Sequence, residues 1–146
     1  MASNQAPAQE KTFRNLGTSQ AANYAATRKG YPPALIKYIV DHHRATNGET
    51  KLLLDVGCGP GNSTLDFAQY FDQVFGADPG EGMISAAKEL GGLSKTGNPI
   101  IYQVSSAEEL EKLEEPKVGC VDVINVTAAV RLQSTISNLA NLAMAD

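Results

Sequence analysis

The sequence predicts an alternating α/β chain built on a parallel sheet, and three observations carry that prediction. Short apolar runs alternate with helix-patterned stretches of about ten residues. The first run leads directly into Gly57-Cys58-Gly59-Pro60-Gly61, and the second ends on an acid, Asp78. Strands separated by helices of this length form right-handed crossover units in a parallel sheet. Ligands of such sheets bind outside the carboxyl ends of the strands, where the glycine loop falls.

The elements follow in order. Residues 1 to about 20 are rich in Ala, Ser, Asn and Gln and read as a mobile arm. Pro32-Pro33 suits the first turn of a helix, and Leu35, Ile36, Ile39 and Val40 form its apolar stripe. His42, His43 and Arg44 fall in the last turn, with Gly48 as the stop. The histidines read as exposed residues favoured by the helix dipole. Neighbours on a helix point in different directions, so a metal pair is the weaker alternative. Lys51 to Val56 reads as a buried strand, and Ser63 to Tyr70 as a helix with Leu65, Ala68 and Phe71 spaced along it. Gln73 to Asp78 is the second strand. Met83, Ala87 and Leu90 share a face of the next helix, which Gly91-Gly92 ends. Pro99 to Val104 is the third strand. Ser106-Ala107-Glu108-Glu109 has the form of a capping box opening a short helix through Leu113. Glu108, Glu109, Glu111, Glu114 and Glu115 read as its solvated face. Val121 to Val126 is the fourth strand.

Bulk properties narrow the function. The chain has 146 residues, enough for one domain, and 42% of them are hydrophobic. The net charge of -4, with no basic cluster, argues against a nucleic-acid partner and favours a small-molecule one. No run of about 20 apolar residues would span a bilayer. Cys58 and Cys120 make no disulfide framework and suit a reducing compartment, so the expected location is cytoplasmic.

The loop carries the chemistry. Its glycines let the backbone turn sharply and approach a ligand without a Cβ in the way. A tight strand-to-helix turn with no ligand would explain glycines alone. Asp78, however, stands about 20 residues past Gly57, where a carboxylate accepts from both hydroxyls of a ribose. Gly61 is followed by Asn62-Ser63-Thr64, without the lysine of a phosphate-binding P-loop. Asn62 also holds the position where the dinucleotide pattern Gly-x-Gly-x-x-Gly has glycine, which counts against NAD without excluding it. Cys58 reads as a small residue that fits between glycines rather than as a nucleophile. Tyr31 and Arg28 are candidates to cover a bound cofactor, and Tyr31 could equally pack on the first helix.

Leu53-Leu54-Asp55-Val56-Gly57-Cys58-Gly59-Pro60-Gly61 resembles motif I of class I S-adenosylmethionine-dependent methyltransferases. Tyr24 to Pro32 is similar to the segment before the first helix in the small-molecule branch of that family. Ala77-Asp78-Pro79 and Ser105-Ser106-Ala107-Glu108 resemble the motifs after strands two and three. The resemblance runs from about Tyr24 to Ala129, within the methyltransferase type 11-like group, and is nearest to fungal trans-aconitate methyltransferases.

This resemblance implies a Rossmann-like parallel sheet with helices on both faces, and S-adenosyl-L-methionine as cofactor. Gly57, Gly59 and Gly61 would make room for the methionine moiety, with Asp55 beneath them to orient the loop. Asp78 would take the ribose hydroxyls, and Pro79 and Met83 would border the adenine. Ser106 stands where relatives often carry an aspartate facing the adenine amino group, with Ala107 beside it. Asn125 and Val126 would end strand four beside the transferable methyl. No metal and no general base is implied, and a carboxylic acid as acceptor would need no base.

Past Ala129 the resemblance stops. The expected organisation is an arm over residues 1–20, a partial cofactor-binding domain over 21–129, and a divergent C-terminal helix over 130–146 carrying Leu132, Ile136, Leu139 and Ala143. About four of the family's seven strands are recognisable. That implies an incomplete, C-terminally truncated fold whose fourth strand is an exposed edge open to self-association. Two functions follow from these expectations. One is methyl transfer to a small molecule, with a carboxylic acid in view. The other is a non-catalytic fragment that binds the cofactor or a partner chain.

Overall fold

A computed structural model describes residues 15–27, 30–117 and 119–126. The elements run α1 (Thr18–Thr27), α2 (Pro33–Ala45), β1 (Leu52–Val56), α3 (Asn62–Ala68), β2 (Gln73–Asp78), α4 (Glu81–Leu90), β3 (Ile101–Val104), a 3-10 helix (Ala107–Lys112) and β4 (Val123–Val126). The four strands form one sheet in the order β3-β2-β1-β4, with every pairing parallel. The strand order therefore reverses between β1 and β4. The crevice at that reversal is where such sheets take ligands.

Alternation along β1 divides the core into two layers. Leu53 faces one side, with Ile36 and Val40 of α2, Phe67 and Ala68 of α3, and Ile84 and Ala87 of α4. Leu52, Leu54 and Val56 face the other, with Phe75, Ala77, Val121 and Leu110 of the 3-10 helix. Helical elements thus cover both faces, as the sequence predicts. At the start of β1, Asp122 fastens β4 to it. Its Oδ2 accepts from the backbone N–H groups of Lys51 and Leu52, both at 2.8 Å.

Register places four residues in a row across the sheet: Tyr102 beside Gly76, Gly76 beside Asp55, and Asp55 beside Asn125. Gly76 is small because the Tyr102 ring lies over it. A Cβ there would sit 2.7 Å from that ring and 3.1 Å from the Cys58 sulfur. The row lies one residue before the last residue of β1, directly ahead of the glycine loop.

Several expectations are corrected. The sequence reading names no helix before Pro32, yet α1 begins at Thr18. Ala21 is fully buried against Met83 and Ala86 of α4, with Leu16 and Tyr24 packed around them. Gly82 admits this contact, since a Cβ there would run into the Leu16 carbonyl. On α2 only Ile36 and Val40 of the expected stripe are buried, while Leu35 and Ile39 remain 43% and 41% exposed. Met83 and Ala87 of α4 face inward, but Leu90 at the helix end is exposed. His43 is half-buried rather than exposed, and its Nε2 lies 2.7 Å from the Glu49 carbonyl.

The capping box does not form. Ser106 is the N-cap of a 3-10 helix without a side-chain cap bond, and its carbonyl accepts from Glu109 N at 3.1 Å. The Glu109 carboxylate reaches forward to Lys112 instead of back to Ser106. All five acidic residues of this segment are exposed, as expected. Arg28 and the segment from residue 127 onward, with its expected helix, lie outside the described residues.

Candidate functional site

β1 runs into a loop whose glycines at 57, 59 and 61 have φ of 69°, 56° and 92°. Side chains with a Cβ rarely adopt these values, which is why this turn is made of glycine. The N–H groups of Gly57 and Cys58 both donate to the Ala77 carbonyl, at 2.7 and 3.1 Å, tying the loop to β2. Above Gly59 the space is open, and a Cβ there would meet nothing within 4 Å. At Gly61 the opposite holds, because a Cβ would come within 2.8 Å of the Tyr102 hydroxyl. One glycine therefore borders open space, and the other lets the loop settle on the sheet.

Asp78 ends β2 beside this opening. Its Oδ2 accepts from Gly59 N at 3.0 Å, and its Oδ1 accepts from Gly80 N at 2.8 Å. The carboxylate thus shapes the loop as well as standing at the strand end. Ser105 N donates to the Asp78 carbonyl at 3.0 Å, which brings the Ser106-Ala107 turn alongside. Pro79 and Ser106 are half-buried, and Ala107 packs into the second core layer. Met83 is only 2% exposed, its side chain taken up in the contact between α1 and α4.

Asp55 lies beneath the loop and is fully buried. Thr64 Oγ1 donates to its Oδ2 at 2.6 Å, and Asn125 Nδ2 donates to its Oδ1 at 2.9 Å. Burial raises the Asp55 carboxyl, the bonds from Thr64 and Asn125 lower it, the charge on Asp78 raises it, and the balance leaves it pushed up to about 6. Burial likewise pushes the Cys58 thiol up, and both carboxylates add to the effect. A thiol held protonated in this way is no nucleophile. Cys58 serves as the small buried residue the sequence reading expects, its sulfur against Gly76.

The structure gathers Asp55, Gly57, Gly59, Gly61, Asp78, Pro79, Ser106 and Asn125 around the carboxyl ends of β1, β2 and β4. The sequence reading missed Thr64, Tyr102 and Asn62. Thr64 is one turn past Gly61 on the helix that leaves the loop, a spacing that marks it in retrospect. Asn62 Nδ2 donates to the Ala25 carbonyl at 2.9 Å and so joins the end of α1 to the start of α3. Tyr31 packs on the core layer that contains α2.

Comparison with known proteins agrees with this geometry. The family model described as "Methyltransferase domain" matches residues 54–142. That match continues past Ala129, where the sequence reading ended its resemblance. The "Probable S-adenosylmethionine-dependent methyltransferase CRG1" of Saccharomyces cerevisiae is 30% identical over 102 residues, covering 70% of this chain and 34% of that protein. The methyltransferase pgmE of Aspergillus terreus is 31% identical over 90 residues, covering 60% and 27%. The chain thus spans about a third of the length of these curated relatives. Among solved structures, magnesium protoporphyrin IX methyltransferase of Synechocystis, with bound S-adenosylmethionine, superposes at a TM-score of 0.61. It is 19% identical and is matched over 95% of this chain and 74% of its own, which shows a shared fold.

Proposed function

The chain belongs to the methyltransferase-domain family, and from that premise we propose that it binds S-adenosyl-L-methionine in the Gly57–Gly61 loop and passes the methyl to a small molecule. The observation that carries this reading is the open glycine turn with the Asp78 carboxylate hydrogen-bonded to its Gly59 N–H. The residues present fit the cofactor: space above Gly59, a carboxylate for two hydroxyls, and a half-buried rim of Pro79 and Ser106. When bound, the cofactor supplies a methyl already activated by its sulfonium, so positioning is the main task of the protein. Gly57, Gly59 and Gly61 would admit the methionine moiety, and Asp78 would accept from the ribose. Pro79, Met83, Ser106 and Ala107 would border the adenine. Asn125 would act through Asp55, to which its amide is bonded.

For the acceptor we infer a small molecule, with a carboxylic acid in view, on the resemblance of residues 24–32 to the small-molecule branch and of the chain to the trans-aconitate group within it. The net charge of -4 speaks against a nucleic-acid acceptor. No helix among the described residues is long and apolar enough to cross a membrane. The free thiols of Cys58 and Cys120 suit the cytosol. Calorimetry with the purified chain is expected to give saturable binding of S-adenosyl-L-methionine and of its demethylated product, tighter than any binding of NAD. Absence of binding by both would end the cofactor reading, and NAD binding more tightly would favour a dehydrogenase. Methyl transfer to any of a panel of small carboxylic acids would separate an enzyme from a chain that only binds the cofactor.

Self-association belongs to the same proposal. Among the described residues β4 pairs with a strand on its β1 side alone, and Val123, Ile124 and Val126 are half-buried. Open strand edges with apolar side chains invite a second copy. Light scattering coupled to size exclusion is expected to show apparent mass rising with concentration. A constant monomer mass at high concentration would mean that this edge is already covered.

A further inference from the structure

We propose that Asp55 is a specificity-determining residue, holding a buried negative charge under the glycine loop that favours the positively charged methyl donor over its neutral demethylated product. The inference deepens the cofactor reading and rests on it.

The two ligands differ by one methyl and one unit of charge, on the sulfur, and share the ribose, the adenine and the amino-acid end. Contacts at Pro79 or Ser106 therefore cannot tell them apart. Discrimination needs a group that senses charge near the loop. Asp55 is fully buried, and its hydrogen-bond donors are neutral: Thr64 from α3 and Asn125 from β4. The groups around it are Gly76 from the adjoining β2, Tyr102 from β3 beyond it, Cys58 from the loop, and the Asp78 carboxylate. Among the described residues no cation faces it, and the ionic neighbour there, Asp78, is repulsive. A buried carboxylate without a counterion is costly. A ligand that brings positive charge to the loop relieves that cost, and a neutral ligand does not. The fields of Asp55 and Asp78 both reach the loop, where they add to burial in raising the Cys58 thiol.

Asp55→Asn separates charge from shape. Its side-chain oxygen can still accept from Asn125, and its amide can donate to the Thr64 hydroxyl. Calorimetry on wild type and variant, with the donor and its demethylated product each as titrant, reads the ratio of the two affinities. The variant is expected to lose affinity for the donor by about tenfold, on Coulomb interaction through a partly screened interior. Its affinity for the product should stay within about twofold. The wild type supplies a second measurement that does not depend on the variant folding. Between about pH 6.8 and about pH 5 its donor-to-product preference should fall as Asp55 takes up a proton, because the α-amino groups of both ligands stay largely protonated in that range. In Asp55→Asn the ratio should be flat across this range. Equal losses for both ligands in Asp55→Asn, or a wild-type ratio that does not change with pH, would overturn the inference while leaving the cofactor reading intact. Failure of the wild type to bind either ligand would overturn both.

Discussion

Asp78→Ala is expected to weaken binding of S-adenosyl-L-methionine by about a hundredfold or more, corresponding to roughly 3 kcal/mol. Two losses combine. A ribose would lose a charged acceptor for two hydroxyls, and hydrogen bonds to charged groups are the strong ones. The loop would also lose the oxygens that accept from Gly59 N and Gly80 N, so its open conformation would no longer be held from the β2 side. Gly59 is half-buried, so water can replace the carboxylate at its N–H, but Gly80 is buried and its N–H would be left without an acceptor, so folding should suffer by about 1 to 2 kcal/mol. Asp78→Asn should be nearly as damaging. An amide presents one acceptor where the loop needs two, and its NH2 would face a backbone donor. Calorimetry gives the affinity, and thermal unfolding gives the stability. Wild-type affinity in Asp78→Ala would mean that the ligand's hydroxyls lie elsewhere, whereas a collapse of stability would mean that Asp78 is chiefly structural.

The parts of this fold that local pattern determines were legible in the sequence. β1 and β2 are buried on both faces, so they stand out as short apolar runs, and their observed limits fall within one residue of the expected ones. The glycine loop and Asp78 were legible because few residues tolerate those backbone angles, and because an acid at a strand end serves little packing purpose. α1 was not legible. It buries a single alanine and owes its position to a partner helix about 60 residues further on, where Gly82 leaves room for it. At Ser106 the local pattern misled. It matches a capping box, but the chain turns there with 3-10 spacing between Ser106 and Glu109. The bond between the Asn125 amide and Asp55 is not legible in the sequence, since position in a motif does not reveal side-chain direction. Asp55 is 70 residues away from Asn125 and becomes a neighbour only through parallel register.

That pairing leads to the second large effect. Asn125→Leu should destabilise the fold by about 2 to 3 kcal/mol at neutral pH, and by roughly 1 kcal/mol near pH 5. The asymmetry comes from the charge on Asp55. Its carboxyl is raised from 3.8 to about 6 in the folded chain, so the folded state holds the proton more tightly than the unfolded one. A group of this kind contributes most to stability below its unfolded value, and that contribution is lost as pH rises through about 6. The shift corresponds to roughly 3 kcal/mol. Asn125 reduces the loss by donating to the ionised carboxylate, and leucine cannot. Removing the amide therefore raises the carboxyl further and adds its largest cost where Asp55 would otherwise be charged. Near pH 5 the carboxyl is protonated in both proteins, and the variant forgoes only an ordinary neutral hydrogen bond. Thr64→Val removes the other donor and should show the same pH dependence, since Thr64 is buried at the same carboxylate. Urea unfolding of wild type and both variants, at about pH 5 and about pH 7.5, measures the effect directly. Equal destabilisation at the two pH values would mean that Asn125 supports the fold by filling space beside β1, and that the charge under the loop does not depend on it.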